Sequence, residues 1–137
     1  MIVIDTNIVL DLLVFQDPAT QPLQQLLHSG ALQWVATGPM RDELQRVLGY
    51  GQIVPRLARY QRSAEEVLAQ FDRLARLHAV SPKAGVTCAD PDDQKFIDLA
   101  VAHRATLLSK DRAVLCMAKR LAAMGVQVRV AIARRPE

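Results

Sequence analysis

Cysteine and histidine are scarce in this chain of 137 residues, which has two cysteines and three histidines. Neither Cys88 nor Cys116 has another cysteine or a histidine at the spacing of a metal ligand, and two cysteines do not make a disulfide framework. The sequence therefore predicts no zinc site, and it favours a reducing compartment, the cytoplasm. Because His28, His78 and His103 also lack partner spacing, we do not expect them to act as general bases.

Several other features are missing from the sequence. No apolar run approaches the roughly 18 residues of a membrane span. The apolar start lacks the basic residues of a signal peptide and is interrupted by Asp5. There is no glycine-rich phosphate loop and no dinucleotide-binding fingerprint, which argues against enzymes with nucleotide cofactors. With no repeat or linker, the length predicts a single domain over residues 1–133, followed by a disordered tail over residues 134–137.

The order of apolar segments indicates alternating strands and helices. Ile2-Val3-Ile4 is typical of a strand buried on both faces. The absence of hairpin signals predicts one α/β domain, with a parallel sheet covered by helices. Further strands are expected near 32–36, 106–109 and 126–132, with at most a short one at 79–80, and helices at 8–13, 20–29, 39–48, 53–60, 63–77, 91–103 and 112–124.

Helical spacing separates two inward-facing acids from their neighbours. Glu43 lies about 60° from the centre of an apolar stripe, whereas Asp42 lies on the opposite face. Asp93 shares its face with Ile97 and Ala100, four and seven residues later, and Asp92 points away. A helix cap explains Asp90 and a first-turn acid explains Asp92, but neither explains why Asp93 faces inward.

Two further acids follow predicted strands. Asp5 comes directly after the first strand, and Asp111 comes after the strand ending at Ser109. Each of these acids has a second explanation as a helix N-cap. Because parallel strands open at one edge of a sheet, Asp5, Glu43, Asp93 and Asp111 are able to converge there. Clustered carboxylates need raised pKa values or a cation, and oxygen ligands without histidine or cysteine favour Mg²⁺ or Mn²⁺ over zinc.

The net charge of +3 favours acidic binding partners such as nucleic acid. Basic residues cluster in two stretches, one of which begins at Arg41. Lys110 and Arg112 flank Asp111 and, with Arg41, are candidates for phosphate contacts. Solvated helix faces are the alternative explanation of both stretches.

Together these acids and their contexts resemble a PIN-domain protein. The resemblance is carried by Asp5-Thr6-Asn7 after the first strand, Glu43, Asp93, and Ser109-Lys110-Asp111, and it extends over essentially the whole chain. More narrowly, the chain is similar to VapC-like ribonucleases, the toxins of bacterial toxin–antitoxin pairs. The resemblance implies a three-layer α/β/α fold with a five-stranded parallel sheet, and a Mg²⁺- or Mn²⁺-dependent endoribonuclease.

The resemblance also implies roles for individual residues. Asn7 and Ser109 would support the site by hydrogen bonding, Ser109 standing where family members often have threonine. Asp90 and Asp11 are second-tier candidates for contacts with the metal's water. The resemblance implies that RNA is the substrate and that an antitoxin protein is a partner. It also implies that the chain forms a homodimer or a larger oligomer. Asp5, Glu43, Asp93 and Asp111 would be the catalytic, metal-binding acids.

Two other functions compete with this interpretation. A non-catalytic, nucleic-acid-binding or regulatory PIN-like domain would share the fold, but it would gain nothing from placing repelling carboxylates beside a polyanion. A phosphatase of the haloacid dehalogenase type also starts with an apolar strand and an aspartate. It would normally have a second aspartate where this chain has Asn7, and no matching lysine motif is found.

Overall fold

The first strand forms the centre of the sheet. In the computed structural model, which describes residues 1–132, five parallel strands lie in the order β3-β2-β1-β4-β5. Ile2, Val3 and Ile4 are all buried, as expected for a strand covered on both faces. The strands are β1 (Ile2–Ile4), β2 (Trp34–Thr37), β3 (Ala75–His78), β4 (Thr106–Leu108) and β5 (Val128–Arg129).

Helices flank this sheet, so the predicted α/β fold with a five-stranded parallel sheet is confirmed. Single 3-10 turns at Pro18–Thr20 and Pro91–Asp93 precede two of the helices. The helices are α1 (Thr6–Leu13), α2 (Gln21–His28), α3 (Gly38–Leu48), α4 (Val54–Arg59), α5 (Ala64–Leu74), α6 (Gln94–His103), α7 (Arg112–Leu115) and α8 (Ala118–Ala123). Among residues 1–132, every helix is too short or too polar to cross a bilayer.

The helix predicted over 63–77 is confirmed from Ala64 to Leu74, but its predicted end and the short strand expected at 79–80 are wrong. The helix ends at Leu74, and β3 begins at the next residue, where the backbone of Ala75 becomes extended with φ −98° and ψ 147°. Residues of β3 pair in register with β2, which satisfies one side of this edge strand. In the sequence, Leu77 continues the apolar helical spacing of the residues before it. In the structure it lies in the edge strand β3 and is 54% exposed, so this spacing does not mark a buried helix face.

The C-terminal elements are shorter than predicted. The helix expected over 112–124 is divided into α7 and α8, because the N–H of Met117 bonds to the carbonyl of Val114 and tightens the turn between them. The strand expected over 126–132 pairs with β4 only at Val128 and Arg129. The boundary and tail predicted at residues 133–137 lie outside the described residues.

The register between the two central strands positions the polar residues that follow them. Ile4 pairs with Leu108, and the backbone N–H of Asp5 bonds to the carbonyl of Leu108 at 2.9 Å. Asp5 and Ser109 therefore emerge side by side at the carboxyl edge of the sheet. This edge is where open α/β sheets place their ligands.

Candidate metal centre and cleft

Asp5 is held at the carboxyl end of β1 by two donors. The hydroxyl of Ser109 donates to its Oδ2 at 2.8 Å, and the backbone N–H of Asn7 donates to its Oδ1 at 3.4 Å, which makes Asp5 the N-cap of α1. Only 4% of Asp5 is exposed. Burial raises the pKa of Asp5, the two hydrogen bonds lower it, and the charges of Glu43 and Asp111 raise it again. The balance is a raised pKa.

Asp93 is a carboxyl group buried next to other negative charges. It ends the 3-10 turn before α6 and is 5% exposed. Its Oδ2 is buried and has no hydrogen-bond partner among residues 1–132. Burial, a hydrogen bond with Asp111 and the negative charges of Asp5, Asp111 and Asp90 raise the pKa of Asp93 to about 8. At neutral pH this carboxyl group therefore needs either a proton or a cation.

Asp111 completes a cluster of three aspartates. It caps α7 by accepting the N–H of Ala113 at 2.9 Å, and its own N–H donates to the hydroxyl of Ser109 at 3.0 Å. Within the described residues, one carboxylate oxygen each from Asp5, Asp93 and Asp111 lies within 4.8 Å of the others. Ser109, which has no exposed surface, thus bridges two members of the cluster.

The chemistry of this cluster suits a hard divalent cation. Three ionised carboxylates at this separation repel by roughly 3–4 kcal/mol per pair at the effective dielectric of a partly buried site. The donors are all oxygens, and the unpartnered Oδ2 of Asp93 is a ligand atom that nothing in the described chain uses. Mg²⁺ and Mn²⁺ prefer such ligands. The residues present therefore fit the metal that the resemblance implies.

Glu43 reaches the same cleft but does not belong to the three-aspartate cluster. It is half-buried on α3, and Asp42 beside it is exposed, as the helical spacing predicts. The hydroxyl of Thr6 donates to Oε2 of Glu43, and the ammonium of Lys95 lies 2.8 Å from Oε1. Both carboxylate oxygens of Glu43 are therefore engaged by donors of the chain itself.

The remaining residues predicted to support the site are not members of the three-aspartate cluster. Asp90 caps the 3-10 turn by accepting the N–H of Asp92 at 3.0 Å. Asp11 forms an ion pair with Lys110 instead of facing the metal centre. Asn7 lines the cleft with an exposed side chain, and its contact with Asp5 is made by the backbone.

Two of the three basic residues predicted to contact nucleic acid already have partners. Arg41 binds Asp72 on α5 through two nitrogens, at 2.7 and 2.9 Å. Lys110 is the partner of Asp11. Arg112 is exposed beside the cluster.

Several residues at the cleft were not assigned to the site from the sequence, and four of them offer groups that can take part in its chemistry. Thr6 and Lys95 hold Glu43, and Arg46 and Tyr50 line the cleft together with Asp5 and Asp93. The sequence contains a signal for Arg46, which lies three positions after Glu43 and therefore on the same helix face. Lys95 gives no such signal, because 52 positions separate it from Glu43.

Comparison with known proteins identifies the fold family. No curated protein matches the chain. The family model of the PIN domain matches residues 1–113, a range that includes the three clustered aspartates and Glu43. This match spans more than half of the chain, and it agrees with the parallel sheet and with the acids at its carboxyl edge. The chain therefore belongs to the PIN-domain family.

Proposed function

We propose that the chain is a metal-dependent endoribonuclease that hydrolyses RNA phosphodiester bonds, with Mg²⁺ or Mn²⁺ bound by Asp5, Asp93 and Asp111. The observation that carries this proposal is the buried, unpartnered Oδ2 of Asp93 within a cluster of three carboxylates. PIN domains are generally metal-dependent nucleases, which makes nuclease chemistry the first expectation for such a cluster in this family.

The chain's own residues prepare the centre. A bound divalent ion would supply Lewis acidity towards the phosphate and lower the pKa of water. Ser109 fixes the orientation of Asp5, and the N–H of Ala113 fixes that of Asp111. These hydrogen bonds hold the carboxylates in place before the ion arrives, so little reorganisation is needed when it binds.

The walls of the cleft suit an RNA strand. Arg46 offers a guanidinium that can bind a phosphate, and Tyr50, 46% exposed, offers a ring on which a base can stack. Exposed Arg112 adds a positive charge next to Asp111. We assign Arg46 and Tyr50 to substrate binding, with Arg112 in support, and Asn7 to the cleft wall.

The proposal is tested by cleavage of a panel of single-stranded RNAs in Mg²⁺, Mn²⁺ or EDTA. The wild type is compared with Asp5→Asn and with the control Asp42→Asn, which changes an exposed acid on α3. We expect metal-dependent cutting by the wild type and the control only. Cutting that persists in EDTA, or in Asp5→Asn, would contradict the proposal.

The alternative is a PIN domain that binds nucleic acid without cutting it. Titration with Mn²⁺ separates the two functions. If the wild type binds Mn²⁺ and Asp93→Asn does not, the result supports the nuclease. If the chain binds RNA but has no affinity for Mg²⁺ or Mn²⁺, the result supports the non-catalytic binding domain. The phosphatase alternative is set aside by the family match.

The narrower role as a toxin rests on the resemblance. We propose that an antitoxin protein binds and inhibits the chain, and that the chain forms a homodimer or a larger oligomer. Growth arrest on expression, relieved by the product of a small neighbouring gene that co-purifies, supports the first part. Expression without growth arrest counts against it. Light scattering of the purified chain tests the oligomer.

A further inference from the structure

Lys95 places a positive charge inside the acidic cleft. Its Nζ lies 2.8 Å from Oε1 of Glu43 and also donates to the carbonyl of Asp92. The side chains of Lys95 and Glu43 are 24% and 16% exposed, so water screens their attraction only in part. The ring of Phe96 lies 4.9 Å from Nζ and gives the ammonium a further favourable neighbour.

Glu43 is therefore neutralised without a metal ion. One of its oxygens faces the ammonium of Lys95 and the other accepts the hydroxyl of Thr6. The three aspartates differ in this respect, because Asp93 carries a buried oxygen with no partner among residues 1–132. Among residues 1–132, the three aspartates therefore have no lysine or arginine as an ion-pair partner, whereas Glu43 is paired with Lys95.

This difference bears on how many ions the site holds. Two-metal nucleases keep their ions about 3.5–4 Å apart, and each ion needs carboxylate ligands. In this chain Glu43 lines the cleft together with Asp5 and Asp93, and a second divalent ion bound to Glu43 would meet the ammonium of Lys95 at close range. Like charges at such a distance repel strongly in a partly buried site.

We propose that Lys95 takes the place of a second divalent ion, so that the cleft binds one ion, on Asp5, Asp93 and Asp111, while Glu43 anchors the ammonium. This proposal rests on the metal centre of the proposed function. It makes Lys95 a positioning residue, whose effect is exerted through Glu43 and is visible in the number of ions bound.

The test counts bound Mn²⁺ by the electron paramagnetic resonance signal of the free ion. We expect one ion per chain in the wild type and two at saturation in Lys95→Met, which removes the charge and keeps an unbranched side chain. The control is Lys119→Met, which removes an exposed lysine of α8 and is expected to bind one ion. Adding Glu43→Gln to Lys95→Met is expected to return the count to one, because the ligand of the second ion is then lost.

Each other result has a defined meaning. Two ions in the wild type, or one in a folded Lys95→Met variant, would overturn the inference and leave the proposed function intact. No ion in the wild type would remove the metal centre itself, and the inference with it. Thermal melting shows whether each variant is folded. If Lys95→Met does not fold, Lys95→Gln is used in its place.

Discussion

The hydroxyl of Ser109 donates to Oδ2 of Asp5 at 2.8 Å across 104 positions of the chain. The hydroxyl oxygen of Ser109 in turn accepts the N–H of Asp111, so this one buried hydroxyl connects the carboxyl ends of β1 and β4 and orders two of the three clustered aspartates.

Removing this hydroxyl is expected to destabilise the protein. Ser109→Ala leaves Oδ2 of Asp5 buried without its donor, and a lost buried partner costs about 1–3 kcal/mol. Urea unfolding measures the change. The matched control is Ser29→Ala, because the exposed Ser29 hydroxyl bonds only to nearby backbone groups, donating to the carbonyl of Leu26 and accepting the N–H of Ala31. Equal effects of the two substitutions would contradict the bridging role of Ser109.

The metal-free protein is expected to lose stability as the pH rises from about 4 to about 8. The folded chain holds the proton of Asp93 up to a pKa of about 8, whereas the unfolded chain releases it near the ordinary value of 3.8. Between these values the folded state binds more protons, so the free energy of unfolding falls with pH, by at most about 1.4 kcal/mol per unit.

Thermal melts in EDTA across this pH range check the sign. Asp93→Asn should flatten the dependence, because an amide does not titrate. With Mn²⁺ present the loss should disappear, since the ion replaces the proton as the neutralising charge. A wild-type melting temperature in EDTA that rises over this range would contradict the prediction.

Two adjacent aspartates are expected to differ sharply in cleavage. Asp93 is buried in the cluster, whereas Asp92 lies at the cleft with an exposed side chain and makes its hydrogen bonds to Asp90 and Lys95 through its backbone. Asp93→Asn should lower kcat/KM by about 100-fold or more, the size of effect seen when one group that stabilises the charge of a transition state is removed. Asp92→Asn should change it little. Equal losses would mean that burial on the inward face does not decide function here.

Two exposed tyrosines are expected to differ in RNA binding. Tyr50 lines the cleft, whereas Tyr60 packs against Phe15 with ring centroids 5.6 Å apart and is not among the residues that line the cleft. In an Asp5→Asn background that prevents cutting, Tyr50→Ala should raise the Kd for single-stranded RNA by about 5- to 150-fold, the value of one stacked base. Fluorescence anisotropy measures this change, with Tyr60→Ala as the control. Unchanged binding by Tyr50→Ala would remove the stacking role.

Binding is also expected to weaken with salt. Each phosphate contact to a single strand contributes about −0.7 to the slope of log K against log salt concentration. Arg46→Ala should therefore reduce the slope by about that amount, while Arg73→Ala, which changes an exposed arginine of α5, should leave it unchanged. A wild-type slope of zero would contradict the phosphate contacts assigned to the cleft.

Local pattern was sufficient to predict the position of the acids relative to the core. The spacing of apolar residues distinguishes buried Asp93 from exposed Asp92, and half-buried Glu43 from exposed Asp42, because helix geometry fixes the direction of each side chain. The convergence of Asp5 and Asp111 followed from strand ends in a parallel sheet.

Contacts between distant side chains were not predictable in the same way. The pairing of Lys95 with Glu43 and of Arg41 with Asp72 depends on how α3 packs against its neighbours, and no single-sequence pattern reports it. The start of β3 was missed for a related reason. Its residues continue a helical pattern, and the pairing with β2 overrides that local preference.

The central position of β1 has a consequence for biosynthesis. Of the five strands, β1 is made first, yet its partner β4, the bridging Ser109 and the capping Asp111 are made more than a hundred positions later. The carboxylate cluster therefore cannot assemble on a growing chain until nearly all of the matched domain has emerged. Under the proposed function, this order of synthesis means that the nascent chain has no assembled nuclease centre for most of its translation.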